Sequence, residues 1–232
     1  LTFGDSDTPV IMISSSSVGS NSGAISFGGT VSDGAFAFQL SLQPSTGIGN
    51  VTFEGNLTID SILANTNNFN VNIKGLNNVL TGSSVFNNTN TVAFGGGSAS
   101  ASTTFGTGNL ISAAAVEVAG ALNTLQGDMN LGSSSKNVTL KNNAQIGSGN
   151  GALNFNGAVT DGGVLNYILT LQTPNAIGSV LFGKNLTVGS LVTSTGSYPI
   201  TFAPATTNTI KNASSFSNTG VVTFNGTTTF DA

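Results

Sequence analysis

"GALNFNGAVTDGG" occupies residues Gly151 to Gly163, and a close copy, "GAISFGGTVSDGA", occupies Gly23 to Ala35. The two stretches are 151 − 23 = 128 residues apart, an offset that places Phe155 on Phe27 and Asp161 on Asp33. The same offset joins "VIMISSSSVGS" to "VTLKNNAQIGS", and small slips carry the match on to "GNVTFEGNLTIDSI" with "GSVLFGKNLTVGSL". The chain is therefore a tandem duplication, with copies at 10–105 and 138–230.

The segment between the copies, 106–137, has no Pro-rich or charged linker and continues the apolar alternation in "VEVAGAL" and "MNL". A helix over Ala113 to Leu125 is an alternative, since Ala, Leu, Glu and Gln favour helices. Val116 and Val118 flank Glu117 at strand spacing, however, and Gly120 interrupts. We therefore expect 106–137 to supply joining rungs of one continuous structure that spans 1–232.

Short runs of alternating apolar and polar residues recur along both copies, each bounded by Gly, Asn, Ser or Pro, which is typical of short strands. Examples are "GAISFGG", "NVTFEGNLTI", "NVNIKG", "NVTLKN", "PITFAP" and "VVTFNG". A sandwich, a barrel and a parallel β-solenoid could each carry this pattern. Resemblance between neighbouring elements favours the solenoid, in which each rung stacks on the one before. With rungs of about 20 residues there would be roughly 11 or 12, forming a rod on the order of 55 Å long.

Composition supports a folded all-β chain. Only 6% of the 232 residues are charged, 38% are hydrophobic, and 31 are Gly, which is poor material for helices and good material for turns. No run approaches the roughly 18 apolar residues that a membrane helix requires, so we expect no direct membrane insertion. The net charge of −4 and the absence of Arg argue against nucleic acid binding. A Cys-free chain of this kind is common among exported bacterial proteins, and since it does not begin with Met we expect a piece of a longer protein.

"GALNFNGAVTDGG", "GNVTFEGNLTIDSI" and "GVVTFNGTTTF" resemble the passenger domains of bacterial autotransporters and of filamentous-haemagglutinin-like exoproteins. The resemblance covers nearly the whole chain and rests on the style of the repeat. It implies a right-handed parallel β-helix at the surface of a Gram-negative cell or released from it, often serving adhesion. It therefore also implies an extracellular location.

Chemistry-bearing residues are sparse. Without His or Cys, the usual nucleophilic triads and zinc ligands are excluded, so we predict no enzyme, cofactor or metal site and assign no catalytic residue. "DSD" at Asp5 to Asp7 is a weak candidate for a cation-binding loop, and Asp33 and Asp161, equivalent in the two copies, are interpreted as Asx-type turns. A polysaccharide-degrading pair of acids formed across rungs remains a distant alternative, and the acids are Asp5, Asp7, Asp33, Glu54, Asp60, Glu117, Asp128, Asp161 and Asp231.

These observations predict a non-catalytic structural rod, adhesin-like, whose partner is a glycan or protein on a host or neighbouring cell. The alternative is a self-assembling fibre, sheath or surface-layer subunit that associates through the ends or edges of the solenoid. Lys74, Lys184 and Glu54 are candidate contacts on the surface. The threonine runs 102–105 and 227–230 raise an ice-binding solenoid as a further alternative, although the outward position varies among Thr, Ser, Asn, Glu and Lys.

Overall fold

A computed structural model describes residues 1–20, 23–34, 36–42, 49–111, 114–204 and 206–231. Short strands dominate the chain, and a single 3-10 turn, Gly95–Gly97, is the one helical element among these residues. The strands are β1 (Thr2–Phe3), β2 (Val10–Ile11), β3 (Ser16–Val18), β4 (Ile25–Phe27), β5 (Val31–Ser32), β6 (Gln39–Leu42), β7 (Gly49–Phe53), β8 (Leu57–Ile59), β9 (Ser61–Ala64), β10 (Phe69–Ile73), β11 (Asn77–Leu80), β12 (Ser84–Phe86), β13 (Thr91–Phe94), β14 (Ser102–Phe105), β15 (Asn109–Ile111), β16 (Ala115–Thr124), β17 (Met129–Leu131), β18 (Val138–Gly147), β19 (Leu153–Phe155), β20 (Val159–Thr160), β21 (Ile168–Leu171), β22 (Val180–Phe182), β23 (Leu186–Val188), β24 (Ser190–Gly196), β25 (Ile200–Phe202), β26 (Thr207–Ile210), β27 (Ser215–Asn218), β28 (Val222–Phe224) and β29 (Thr227–Phe230).

The strands coil into a parallel β-solenoid of about 10 turns, which confirms the predicted fold. Each turn contributes to three faces. Face 1 holds β1, β4, β7, β10, β13, the first halves of β16 and β18, then β20, β23, β26 and β29. Face 2 holds β2, β5, β8, β11, β14, the second halves of β16 and β18, then β21, β24 and β27. Face 3 holds β3, β6, β9, β12, β15, β17, β19, β22, β25 and β28. The right-handed sense of the coil stays a prediction.

Turn length is less regular than the sequence suggested. Hydrogen bonds between successive turns join residues that are 20 apart at Asn70 and Asn50 and 28 apart at Gly189 and Asp161. The predicted 11 or 12 rungs were therefore slightly too many, because corner loops lengthen several turns beyond 20 residues.

Alternating residues of each strand point inward and stack in columns, as the apolar alternation predicted. On face 3 the rings of Phe155, Phe182, Phe202 and Phe224 are stacked, with centroids 4.7–4.8 Å apart. Face 1 repeats this arrangement with Phe27 and Phe53, whose ring centroids are 4.7 Å apart. A column of identical side chains at the spacing of the strands fills the narrow interior without a second layer.

The joint between the two copies is strand, and the helix alternative is wrong for the described part of Ala113 to Leu125. Ala115–Thr124 forms the ten-residue strand β16, which bends at Gly120 and pairs with β18 of the second copy. Gly120 has φ 73°, a conformation that Ala or Leu rarely adopts. The bend at this glycine lets one unbroken strand pass from face 1 to face 2.

Each copy of the repeat lies on different faces of the solenoid. Ile25–Phe27 is on face 1, whereas its copy Leu153–Phe155 is on face 3. Val31 is on face 2 and its copy Val159 on face 1. The offset of 128 residues therefore corresponds to five turns and two further faces, so the second copy is rotated by one face against the first.

Glycine begins the repeated stretch for a steric reason. A Cβ at Gly178 would clash with the carbonyl oxygen of Gly151, and a Cβ at Gly151 would clash with that of Gly127. This corner, just before face 3, stacks backbone directly on backbone through three turns. A side chain there would push the turns apart.

Candidate functional site

The acidic residues fall into structural roles or lie apart. Asp5 and Asp7 occupy an exposed turn in which the backbone N–H of Asp7 donates to Asp5 Oδ1 at 3.0 Å. Hydrogen bonding by the Thr8 side chain, followed by that of the Asp7 backbone, lowers the pKa of Asp5. Within the described ranges, three or more acidic side chains never gather in a group that could hold a metal ion.

Asp33 anchors a loop at the corner between faces 2 and 3. Its carboxylate is buried, and Oδ2 accepts hydrogen bonds from the backbone N–H of Asp60 in the next turn (2.9 Å) and from that of Phe38 (3.3 Å). The N–H of Phe36 donates to the carbonyl of Asp33 at 3.1 Å and closes a turn in which Gly34 has φ 62°. We call residues 33–38 the Asp33 loop, of which residue 35 lies outside the described ranges.

Asp161 anchors the equivalent loop in the second copy, residues 161–167, at the corner between faces 1 and 2. Asp161 is buried, and its Oδ2 accepts from the backbone N–H of Gly189 in the next turn at 3.1 Å. Its Oδ1 accepts from Gly163 N–H at 3.2 Å, which is the Asx-type turn that the sequence predicted. We call this segment the Asp161 loop. The duplicated "DG" motif is thus a clamp that holds a protruding loop against the following turn.

A cavity accompanies each of these two loops. The cavity at the Asp33 loop has a volume of about 360 Å³, and its lining is Asp33, Phe36, Ala37, Thr58, Ile59 and Thr81. The cavity at the Asp161 loop is smaller, about 170 Å³, and includes Asp161, Val164, Tyr167 and Lys141. Phe36 and Val164, the copies of one another at an offset of 128, are exposed at the tips of their loops.

Asp60 is the residue here that sequence reasoning missed. The fold brings it into the turn next to Asp33, and its carboxylate accepts from Ser61 Oγ at 2.9 Å and from Thr81 Oγ1 at 3.4 Å. Only the register of successive turns could have found this neighbour, since the two acids are 27 residues apart. The second copy has Gly189 at the position of Asp60, so the pair of acids is not duplicated.

The candidate surface contacts are solvated. Lys74 Nζ lies 2.8 Å from Glu54 Oε1, with 45% and 46% of the two side chains exposed. Lys184 is also exposed. Because salt and water screen exposed ion pairs, the Lys74–Glu54 pair contributes little to stability.

Threonine forms an outward column on face 1 of the second copy. Successive turns place Thr139, Thr160, Thr187, Thr209 and Thr229 in one register. In the first copy the same column contains Ser26, Thr52, Asn72, Ala93 and Glu117, so the predicted variability holds there and is wrong for the second copy. The two threonine runs of the sequence lie on different faces, since β29 (Thr227–Phe230) belongs to face 1 and β14 (Ser102–Phe105) to face 2.

Several Asn-x-Thr sequons are part of the same surface. Thr52, Thr139 and Thr187 follow Asn50, Asn137 and Asn185 at strand spacing, so Asn and Thr point outward together on face 1. The sequons therefore mark outward positions of strands.

None of the described residues forms a helix long and apolar enough to span a membrane. In comparisons with family models, with curated proteins and with solved structures, no match to this chain was found.

Proposed function

We propose that this chain is a non-catalytic structural rod that presents an extended surface for attachment outside the cell. The observation that carries the proposal is the run of stacked side-chain columns through about 10 turns, which stiffens the chain along one axis. At about 4.8 Å per turn the rod is roughly 48 Å long, and its loops project from the corners. The repeat style and the lack of Cys support an extracellular, bacterial cell-surface location.

The distribution of polar groups supports a non-catalytic role. A general acid and base need a pair of carboxyl groups free to exchange protons with a substrate. Here Asp33 and Asp161 accept hydrogen bonds from the backbone of the next turn, which ties them to the fold. We expect that incubation with neutral and acidic polysaccharides releases no new reducing ends, and that Asp60→Asn changes nothing in this assay.

Attachment is tested with beads that carry the chain through a single terminal biotin. We expect the beads to bind cultured epithelial cells or immobilised bacterial polysaccharide more strongly than beads with a control variant, Phe182→Asp. The control introduces a charge into the core column and disrupts the rod that presents the surface. Equal binding by both kinds of bead would contradict the proposal.

The threonine column favours a second candidate, binding to ice. Hydroxyl and methyl groups that repeat at the strand spacing of about 4.8 Å form a flat, ordered row, which could hold water molecules in an ice-like arrangement. A second row is short, because only Thr207 and Thr227 continue it on face 1.

Thermal hysteresis and inhibition of ice recrystallisation test this candidate. We expect Thr187→Lys, in the middle of the column, to abolish either activity. The matched control is Thr201→Lys, an outward threonine on face 3. A wild-type chain without either activity would eliminate ice binding and leave the attachment proposal standing.

A further inference from the structure

The cavity at the Asp33 loop combines an exposed aromatic ring with oxygen groups. Phe36 is 64% exposed, and its ring stacks on Phe38 with the centroids 5.4 Å apart. Thr58 and Thr81 come from the next two turns and contribute hydroxyl groups to the lining, and Ile59 contributes an apolar wall. Ligand sites commonly have this composition, a largely apolar cavity with a few polar groups that fix orientation.

The carboxylate in this cavity is buried, and backbone groups hold it in place. Asp33 is 4% exposed, and the two N–H groups that bind its Oδ2 belong to the fold itself. These bonds fix the carboxylate at the wall of the cavity, so it does not need a ligand to keep its position. Acceptor oxygens beside the hydroxyls of Thr58 and Thr81 suit a partner that both donates and accepts hydrogen bonds.

The chemistry of the lining excludes several classes of ligand. Lys and Arg are absent from the lining, so the cavity offers no cation to a phosphate or sulfate group. Asp33 is the one acidic side chain among the lining residues, which is too few oxygen ligands for a calcium ion. A neutral polyhydroxylated ring satisfies the remaining requirements, since its C–H face can pack on Phe36 while its hydroxyls meet the oxygens.

We propose that the Asp33 loop binds a single neutral sugar residue, with Phe36 as its platform. This inference rests on the attachment function and names the class of partner for it, a neutral glycan. The loop is anchored across turns, so it is preorganised, and binding does not have to order it. The Asp161 loop has Val164 at the place of Phe36 and Lys141 in its lining, so we assign the sugar site to the first copy alone.

Saturation-transfer NMR with the full chain tests the proposal. The probes are the methyl pyranosides of glucose, galactose, mannose and N-acetylglucosamine. We expect at least one of them to receive saturation at its ring C–H protons, and Phe36→Ala to weaken its binding roughly tenfold. Because Phe36 is exposed, this variant should keep the far-UV spectrum of the wild type.

Leu125→Ala is the matched control, since Leu125 is 63% exposed and lies away from the cavity. It should bind the probe like the wild type, and Thr81→Val should weaken binding while leaving the platform intact. Absence of saturation transfer with all four probes, or equal binding by Phe36→Ala and wild type, would overturn the assignment. If the beads adhere to cells under those outcomes, the attachment function stands and the sugar site alone is refuted.

Discussion

Phe182 offers a direct test of the idea that stacked columns hold the rod together. Its side chain is fully buried, and its ring lies 4.8 Å from both Phe155 and Phe202, at interplanar angles of 6° and 7°. Phe182→Ala removes the ring from between two neighbours that are fixed by their own strands. Because the turns above and below cannot collapse into the gap, we expect a loss of about 4 kcal/mol in the free energy of unfolding.

Phe224 is the matched control in the same column. It is 41% exposed, and its stacked neighbour in the column is Phe202 at 4.7 Å. The ring buries less area and has room to relax, so Phe224→Ala should cost roughly 2 kcal/mol. The comparison holds the residue type and the face constant and varies only the burial of the ring.

Urea unfolding followed by far-UV circular dichroism measures both losses, since the chain has no Trp to report by fluorescence. Hydrogen exchange read by mass spectrometry adds the location, because a solenoid turn contacts only its neighbours. We expect Phe182→Ala to lower protection mainly between residues 153 and 202. Equal losses for the two variants, or a fall in protection spread evenly over the described chain, would refute the reasoning.

Three further predictions concern buried and exposed polar groups. Asn208→Ala should destabilise the chain by roughly 1–3 kcal/mol in urea unfolding, because the buried amide accepts from the Leu186 N–H at 3.0 Å and donates to Thr228, whereas the exposed Asn212→Ala should cost less than about 0.5 kcal/mol. Burial raises the pKa of Tyr198 from the model-compound value of 10.0, so its stabilisation is complete below that pH and is lost as the pH rises through the higher folded value; alkaline titration of tyrosinate absorbance should show this against Tyr198→Phe. Thr8→Val should raise the pKa of Asp5 toward its ordinary value in an NMR titration, since the Thr8 side chain is the largest cause of the lowering.

Much of the fold could be predicted because a solenoid writes its core as local alternation. "ALNFNG" and "PITFAP" each contain one inward apolar pair around an outward polar residue, and they form β19 (Leu153–Phe155) and β25 (Ile200–Phe202). The alternation fixes which side chains are buried without any knowledge of the neighbouring turn. Strands such as β26 (Thr207–Ile210) are harder to find, since Asn208 occupies an inward position and is satisfied by hydrogen bonds to adjacent turns.

The candidate sites depended on register, which the sequence does not show locally. The neighbour of an outward threonine lies 20 to 28 residues away, and the interval changes at every corner loop. A column such as Thr139, Thr160 and Thr187 is therefore invisible until the turns are aligned. The cavity at the Asp33 loop has the same origin, because Thr58 and Thr81 reach it from two later turns.

The rotated duplication explains why the sequence could not assign strands to faces. Asn78 on face 2 accepts from Leu57 N–H and donates to Thr103, while its copy Asn208 on face 1 makes the same bonds to Leu186 and Thr228. A polar network that survives transfer between faces means that the faces offer equivalent environments, one strand width apart around the same narrow interior. A duplicated segment therefore needs only a whole number of faces, and not of turns, to continue the coil. Such a rule leaves length and the corner loops free to vary, and the loops at Asp33 and Asp161 consequently point in different directions from one rod.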